Sequence, residues 1–115
     1  MFMIMFVLDD IQFTDAILES WSTIGISGAT IIESSGLHRR LNKRVPMRYA
    51  FNASPSVETG NLTFFVMVET DKMVKDCLES IERIVGDLNL PNTGVFSSWP
   101  VSTVKGIPSQ EQKER

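Results

Sequence analysis

A chain of 115 residues, 43% hydrophobic and 22% charged, has the size and composition of one globular domain with a modest core. The single cysteine, Cys77, excludes an internal disulfide and a cysteine-based zinc site, and the single histidine, His38, excludes a histidine-pair metal site within one chain. With 11 Lys and Arg against 14 Asp and Glu the chain is mildly acidic, which weighs against a polyanionic partner such as nucleic acid.

The run MFMIMFVL, residues 1–8, is too short to span a bilayer. It also lacks the basic flank and small-residue cleavage site of a secretory signal. It reads as a buried strand, with a cytoplasmic location as the default. Asp9 and Asp10 close it; as a cation site they are weak, because adjacent side chains on a strand point to opposite faces. From Phe13 the spacing turns helical, with Phe13, Ala16, Ile17, Ser20, Trp21 and Ile24 on one face. Gly25 and Gly28 punctuate its end. ATIIES, residues 29–34, is a short β-branched strand.

Residues 37–60 have no clear period and contain Pro46 and Pro55. Loops of this length in a small domain are usually functional or disordered. Five of the eleven basic residues fall here (Arg39, Arg40, Lys43, Arg44 and Arg48), and no Asp or Glu occurs between Glu33 and Glu58. Residues 61–70 read as a strand. Asp71 is placed to cap a second helix whose apolar face is Val74, Cys77, Leu78, Ile81, Val85 and Leu88. NLPNTG is a turn cluster, and VFSSWPVSTVKGI after it reads as an edge strand interrupted by proline. Residues 108–115 are a polar tail, which leaves one domain over residues 1–107.

The order strand, helix, strand, long loop, strand, helix, strand predicts an α+β ferredoxin-like βαββαβ plait, each helix a right-handed crossover. No GxGxxG, P-loop or paired acid, base and nucleophile is present, so no enzyme, no catalytic residue and no metal site are expected. Cys77 falls on the apolar helix face and reads as a core residue. Trp21 and Trp99 read as packing groups. The basic cluster stands apart. Cations without local counter-charge repel one another, which a bound phosphate or an acidic surface relieves, and arginine offers a planar fork of donors to such groups. Only Tyr49 and Phe51 offer aromatic platforms nearby, so a small anion or a protein partner ranks above nucleic acid. The plain alternative is a solvated loop whose charges oppose aggregation.

The chain resembles the PII (nitrogen regulatory protein P-II) superfamily over about residues 3 to 105. IGISGATIIESSGL is similar to that family's LGVxGxTxxEVxGfG pattern, with Gly25, Gly28, Thr30, Glu33 and Gly36 in matching places, and SSWPVSTV is similar to its vSPVEqV. The resemblance implies a trimeric, non-enzymatic signalling protein of nitrogen or carbon metabolism. Its long T-loop, here residues 37–60, would contact a target protein, a membrane transporter among the options, without entering the membrane. It implies an effector site in clefts between subunits, at Gly36, Leu37, His38, Arg39, Arg40, Gly94 and Lys105. Adenine nucleotides are the family's effectors, but several of its phosphate-binding positions differ here. The family's Gly-Arg-Gln at the loop base is His38-Arg39-Arg40, its Gly-Asp-Gly-Lys turn has Val95 at the lysine, and its final Arg-x-Arg falls on Gly106 and Pro108. The effector is therefore expected to be a small anion of unknown identity. The modification motif RGAEY is absent, Tyr49 standing in another context. A CutA-like trimeric divalent-metal tolerance protein shares the plait and the trimer and is the alternative reading.

Overall fold

The computed structural model describes residues 1–34 and 60–107. These residues form β1 (Phe2–Leu8), a 3-10 turn (Ile11–Phe13), α1 (Thr14–Ile24), β2 (Thr30–Ser34), β3 (Asn61–Val68), α2 (Asp71–Val85) and β4 (Gly94–Pro100). The strands make one sheet in the order β2-β3-β1-β4, and every neighbouring pair is antiparallel. The chain is thus a mixed α+β structure. Leu8 lies opposite both Leu62 and Gly94, and Ser34 opposite Asn61, so β1 and β2 end where β3 and β4 begin. Residues 35–59 leave and re-enter the sheet at that end.

Alternation along the two central strands divides the sheet into unlike faces. Ile4, Phe6 and Leu8 of β1 and Phe64, Val66 and Val68 of β3 are buried, and together with Ile17, Trp21, Val74, Cys77 and Ile81 of the helices they form the core. Removing each such side chain from water contributes roughly 1.5–3 kcal/mol. Phe64 holds the centre, its ring 5.8 Å from Phe6 and 5.7 Å, edge-on, from Trp21. The other face carries Met3, Met5, Val7, Phe65 and Met67, all only partly buried, with Trp99 of β4 exposed. No Asp, Glu, Lys or Arg occupies a strand position on that face. The first charged side chains in its alternation are Asp9, one residue past β1, and Glu69, one residue past β3.

The helices differ from expectation in particulars. In α1, Ala16 is exposed and Leu18 packs against the core instead, because Ile17 and Trp21 fix the rotation of the helix. Gly25 caps α1 at φ 109°, a left-handed conformation that suits glycine, whereas Gly28 has open space where a Cβ would stand. The cap of α2 is Thr70 rather than Asp71. Thr70 is extended (φ −131°, ψ 157°), and its hydroxyl accepts from the Met73 N–H at 3.1 Å, a geometry closed to Asp71, which is already helical. Asp71 pairs instead with Lys75 across one turn at 3.2 Å. On the buried face of α2, Ser80 takes a place that apolar spacing did not mark, its hydroxyl donating to the Cys77 carbonyl at 3.0 Å, while Leu78 lies outside the core. Burial pushes the Cys77 thiol up to about 12, in line with a core role. β3 stops at Val68 and β4 at Pro100, both short of the runs read from sequence. Among the described residues no helix is long and apolar enough to cross a membrane.

Thr70→Ala removes the side-chain acceptor that caps the start of α2 and is expected to lower stability by about 1 kcal/mol in urea unfolding. Asp71→Ala, which removes an exposed ion pair and a favourable dipole contact, is expected to cost less than half of that.

Candidate functional site

The end of the sheet from which residues 35–59 depart is built by close chain approaches. At Gly60 a Cβ would lie 2.4 Å from the Ser34 carbonyl oxygen, so only glycine lets β2 and β3 meet at the neck of the segment. On the other side of the sheet, a Cβ at Gly94 would lie 2.4 Å from the Val7 carbonyl oxygen and 2.9 Å from the Phe6 ring. Packing of β4 on β1 therefore accounts for this glycine without a ligand. The turn before it is held by its own polar groups. Glu82 accepts from the Leu88 N–H at 3.1 Å, Asp87 from the Asn89 N–H at 2.9 Å, and the Thr93 hydroxyl donates to the Leu90 carbonyl at 2.8 Å. Thr93 in turn accepts through its carbonyl from the Asp9 N–H at 3.2 Å, which ties the turn to the exit of β1. Asp10 caps the following 3-10 turn, accepting from the Gln12 N–H at 3.1 Å and from its side-chain amide at 2.7 Å.

Gly36, Leu37, His38, Arg39 and Arg40 lie outside the described residues, as do Lys43, Arg44 and Arg48. Two candidates are described, Gly94 and Lys105. Gly94 stands at the loop end of β4, whereas the exposed Lys105 follows the opposite end, where Pro100 lies across from Phe2 and the Val101 N–H donates to the Met1 carbonyl at 3.0 Å. Six strand steps of about 3.4 Å separate the two exits. Val95, at the position of the family's lysine, is 60% exposed and falls on the uncovered face beside Val7.

Charge at the loop end is one-sided among the described residues. Asp9, Asp10 and Asp87 surround it. The one described cation in the last turn of α2, Arg83, is exposed and 3.9 Å from Glu79. Among the described residues no group of three His, Cys, Asp or Glu side chains is placed to hold a metal ion.

A polar cluster at this end was not marked from sequence. Ser34 and Thr63 share a hydrogen bond between their hydroxyls at 2.8 Å, and the Ser34 hydroxyl also lies 3.4 Å from the Asn61 carbonyl oxygen. The Asn61 side-chain oxygen is buried and has no hydrogen-bond partner. The alternation of Asn61 and Thr63 with Leu62 and Phe64 was the available signal. It places these two polar residues on the uncovered face, but only the strand register shows that Ser34 joins them.

Set against protein-family models and against curated proteins, the chain matches none.

Gly94→Ala forces a methyl group against a backbone oxygen and an aromatic ring, and is expected to destabilise the fold by about 1–3 kcal/mol. Gly28→Ala, with nothing within 4 Å of the new methyl, is expected to be neutral within about 0.5 kcal/mol. Thermal unfolding of the two variants side by side checks both.

Proposed function

We propose that this chain is a PII-like regulator: a ferredoxin-like plait, assembled as a homotrimer, that senses a small anionic effector and acts on a protein target through residues 37–60. The observation that carries the reading is where those residues are inserted. They join the end of β2 to the start of β3, at the end of the sheet where β1 exits and β4 begins. A segment rich in arginine that leaves from the end of the sheet at which β4 begins would let one effector be reached from both. The surrounding carboxylates of Asp9, Asp10 and Asp87 attract the cations to the sheet end until an anion competes for them.

Assembly through the uncovered face supports the same reading. A face of Met3, Met5, Val7, Phe65, Met67 and Trp99 without charged strand positions is costly to leave in water and free of repulsion when copies meet. The edge strand β2 adds Ile32, 48% exposed. Three copies arranged about one axis bury these groups and create clefts between neighbouring loop ends. An adenine nucleotide is the first effector to test. Its phosphates would rest on Arg39 and Arg40, the second cation offsetting the absent lysine at Val95. The charge pattern favours a protein target with an acidic surface over nucleic acid.

Calorimetry with a panel of nucleotides, bicarbonate, 2-oxoglutarate and divalent metals identifies the effector. For a phosphate-bearing ligand, Arg39→Ala is expected to cost about 1.5 kcal/mol or more, roughly a tenfold loss of affinity, while Lys43→Ala changes little. Wild-type binding weakens as salt rises. Equal affinity in wild type and Arg39→Ala would remove the basic cluster from the effector site.

A further inference from the structure

Sulfur, as well as the absence of charge, sets the uncovered face apart. Along β1 and β3 the covered side of the sheet is built from Ile4, Phe6, Leu8, Phe64, Val66 and Val68, without a methionine. The open side of the same two strands carries Met3, Met5 and Met67, and Met1 precedes them in the same alternation. Met3 lies directly opposite Met67 on β3 and Trp99 on β4, and Met5 is the next residue on that face of β1. Facing positions on neighbouring strands hold their Cβ atoms about 4.5–5.5 Å apart, and diagonal positions lie about 7–8 Å apart. A methionine side chain is unbranched, has three rotatable bonds and ends in a thioether, so sulfurs starting from these positions can converge on one point. All three residues keep some exposure.

The histidine-pair and cysteine sites excluded from sequence do not cover this case. Thioethers are soft, uncharged ligands that select Cu(I), whereas hard cations take oxygen. We propose that Met3, Met5 and Met67 form a site for a soft monovalent cation, Cu(I) or its analogue Ag(I). Neutral ligands leave the positive charge of the ion uncompensated, and two groups near the site answer it. The indole of Trp99, beside Met3, offers an aromatic face that attracts a cation. The exposed Glu69 follows two residues after Met67 in the same alternation and brings a carboxylate to that end of the patch. A divalent ion would carry twice the charge into the same apolar surroundings at greater cost. The ligands come from adjacent strands of one chain, so the site does not rest on the homotrimer proposed above.

Silver ion, which has the same charge as Cu(I) and needs no reductant, is the probe. It is titrated as the nitrate, in chloride-free buffer, into wild-type protein labelled with carbon-13 at the methionine methyl groups. The signals of Met3, Met5 and Met67 are expected to shift together and to stop at one equivalent per chain. Met73, which packs against the core from α2, should stay in place. Zinc ion under the same conditions should move none of them. Silver taken up elsewhere while these three signals stay fixed, at Cys77 for example, would overturn the proposal, and so would no uptake at all. The double variant Met3→Leu, Met67→Leu keeps the apolar volume and removes two ligands. It is expected to lose at least tenfold in silver affinity by calorimetry while its circular dichroism matches wild type. Undiminished affinity in the folded variant would show that packing is the only task of these methionines and would overturn the site. The wild-type spectra need no variant, so a misfolded one leaves the test intact.

Discussion

The pairing of β1 between β3 and β4 is the interaction on which the other features depend. All seven residues of β1, Phe2 to Leu8, have partners on both sides. Its backbone groups are spent inside the sheet, and its alternate side chains are committed to one face or the other. Ile4, Phe6 and Leu8, all fully buried, then define where α1 and α2 can lie. Gly94 is the price of this closeness, since the start of β4 approaches Val7 too tightly for any side chain. Because β1 exits at the same end at which β3 and β4 enter, that one strand also fixes which groups stand where the chain leaves the sheet after Ser34 and returns at Gly60.

Covering one face of the sheet leaves the other in water. For an antiparallel sheet that is ordinary when the open face is polar. Here methionine, phenylalanine, valine and tryptophan share it with the uncharged Thr30, Ser34, Asn61, Thr63 and Ser97, and charges appear only beyond the strands. The contrast with α2 is informative. That helix carries the pairs Lys72–Asp76, Lys75–Asp71 and Arg83–Glu79, each one turn apart, as a surface meant for solvent does. The two surfaces of this chain are thus built to different rules, and we read the uncharged one as a contact between copies. The acidic groups at the loop end and the basic residues of 37–60 complement each other in sign, so the segment that carries the positive charge is tethered to a surface that attracts it.

Much of the fold was legible in the sequence because its signals were local. The continuous apolar run of residues 1–8, the strand read at residues 61–70, the left-handed glycine at Gly25 and the apolar spacing from Val74 to Ile81 each report a conformation within a few residues. What local reading missed depended on neighbours in space. Thr70 outcompetes Asp71 as a cap because β3 delivers it in an extended conformation. Ser80 is tolerated inside because its hydroxyl finds the Cys77 carbonyl one turn back. Leu18, not Ala16, faces the core because Trp21 sets the rotation of α1. The candidate site was legible only as a concentration of charge. Gly94 was read as a ligand-binding glycine although its close contact with β1 is sufficient reason for it, and the neighbourhood of Ser34, Asn61 and Thr63 arises from strand register, which no single segment states. The candidates Gly36 to Arg40 lie outside the described residues.

The central claim is that the uncharged face of the sheet is covered by other copies of the same chain. Light scattering coupled to size exclusion, at micromolar concentration without added effector, tests it most directly. The account predicts a single species of three times the chain mass of 12.9 kDa. A homogeneous species of one chain mass would leave Met3, Met5, Phe65, Met67 and Trp99 facing water and would contradict it.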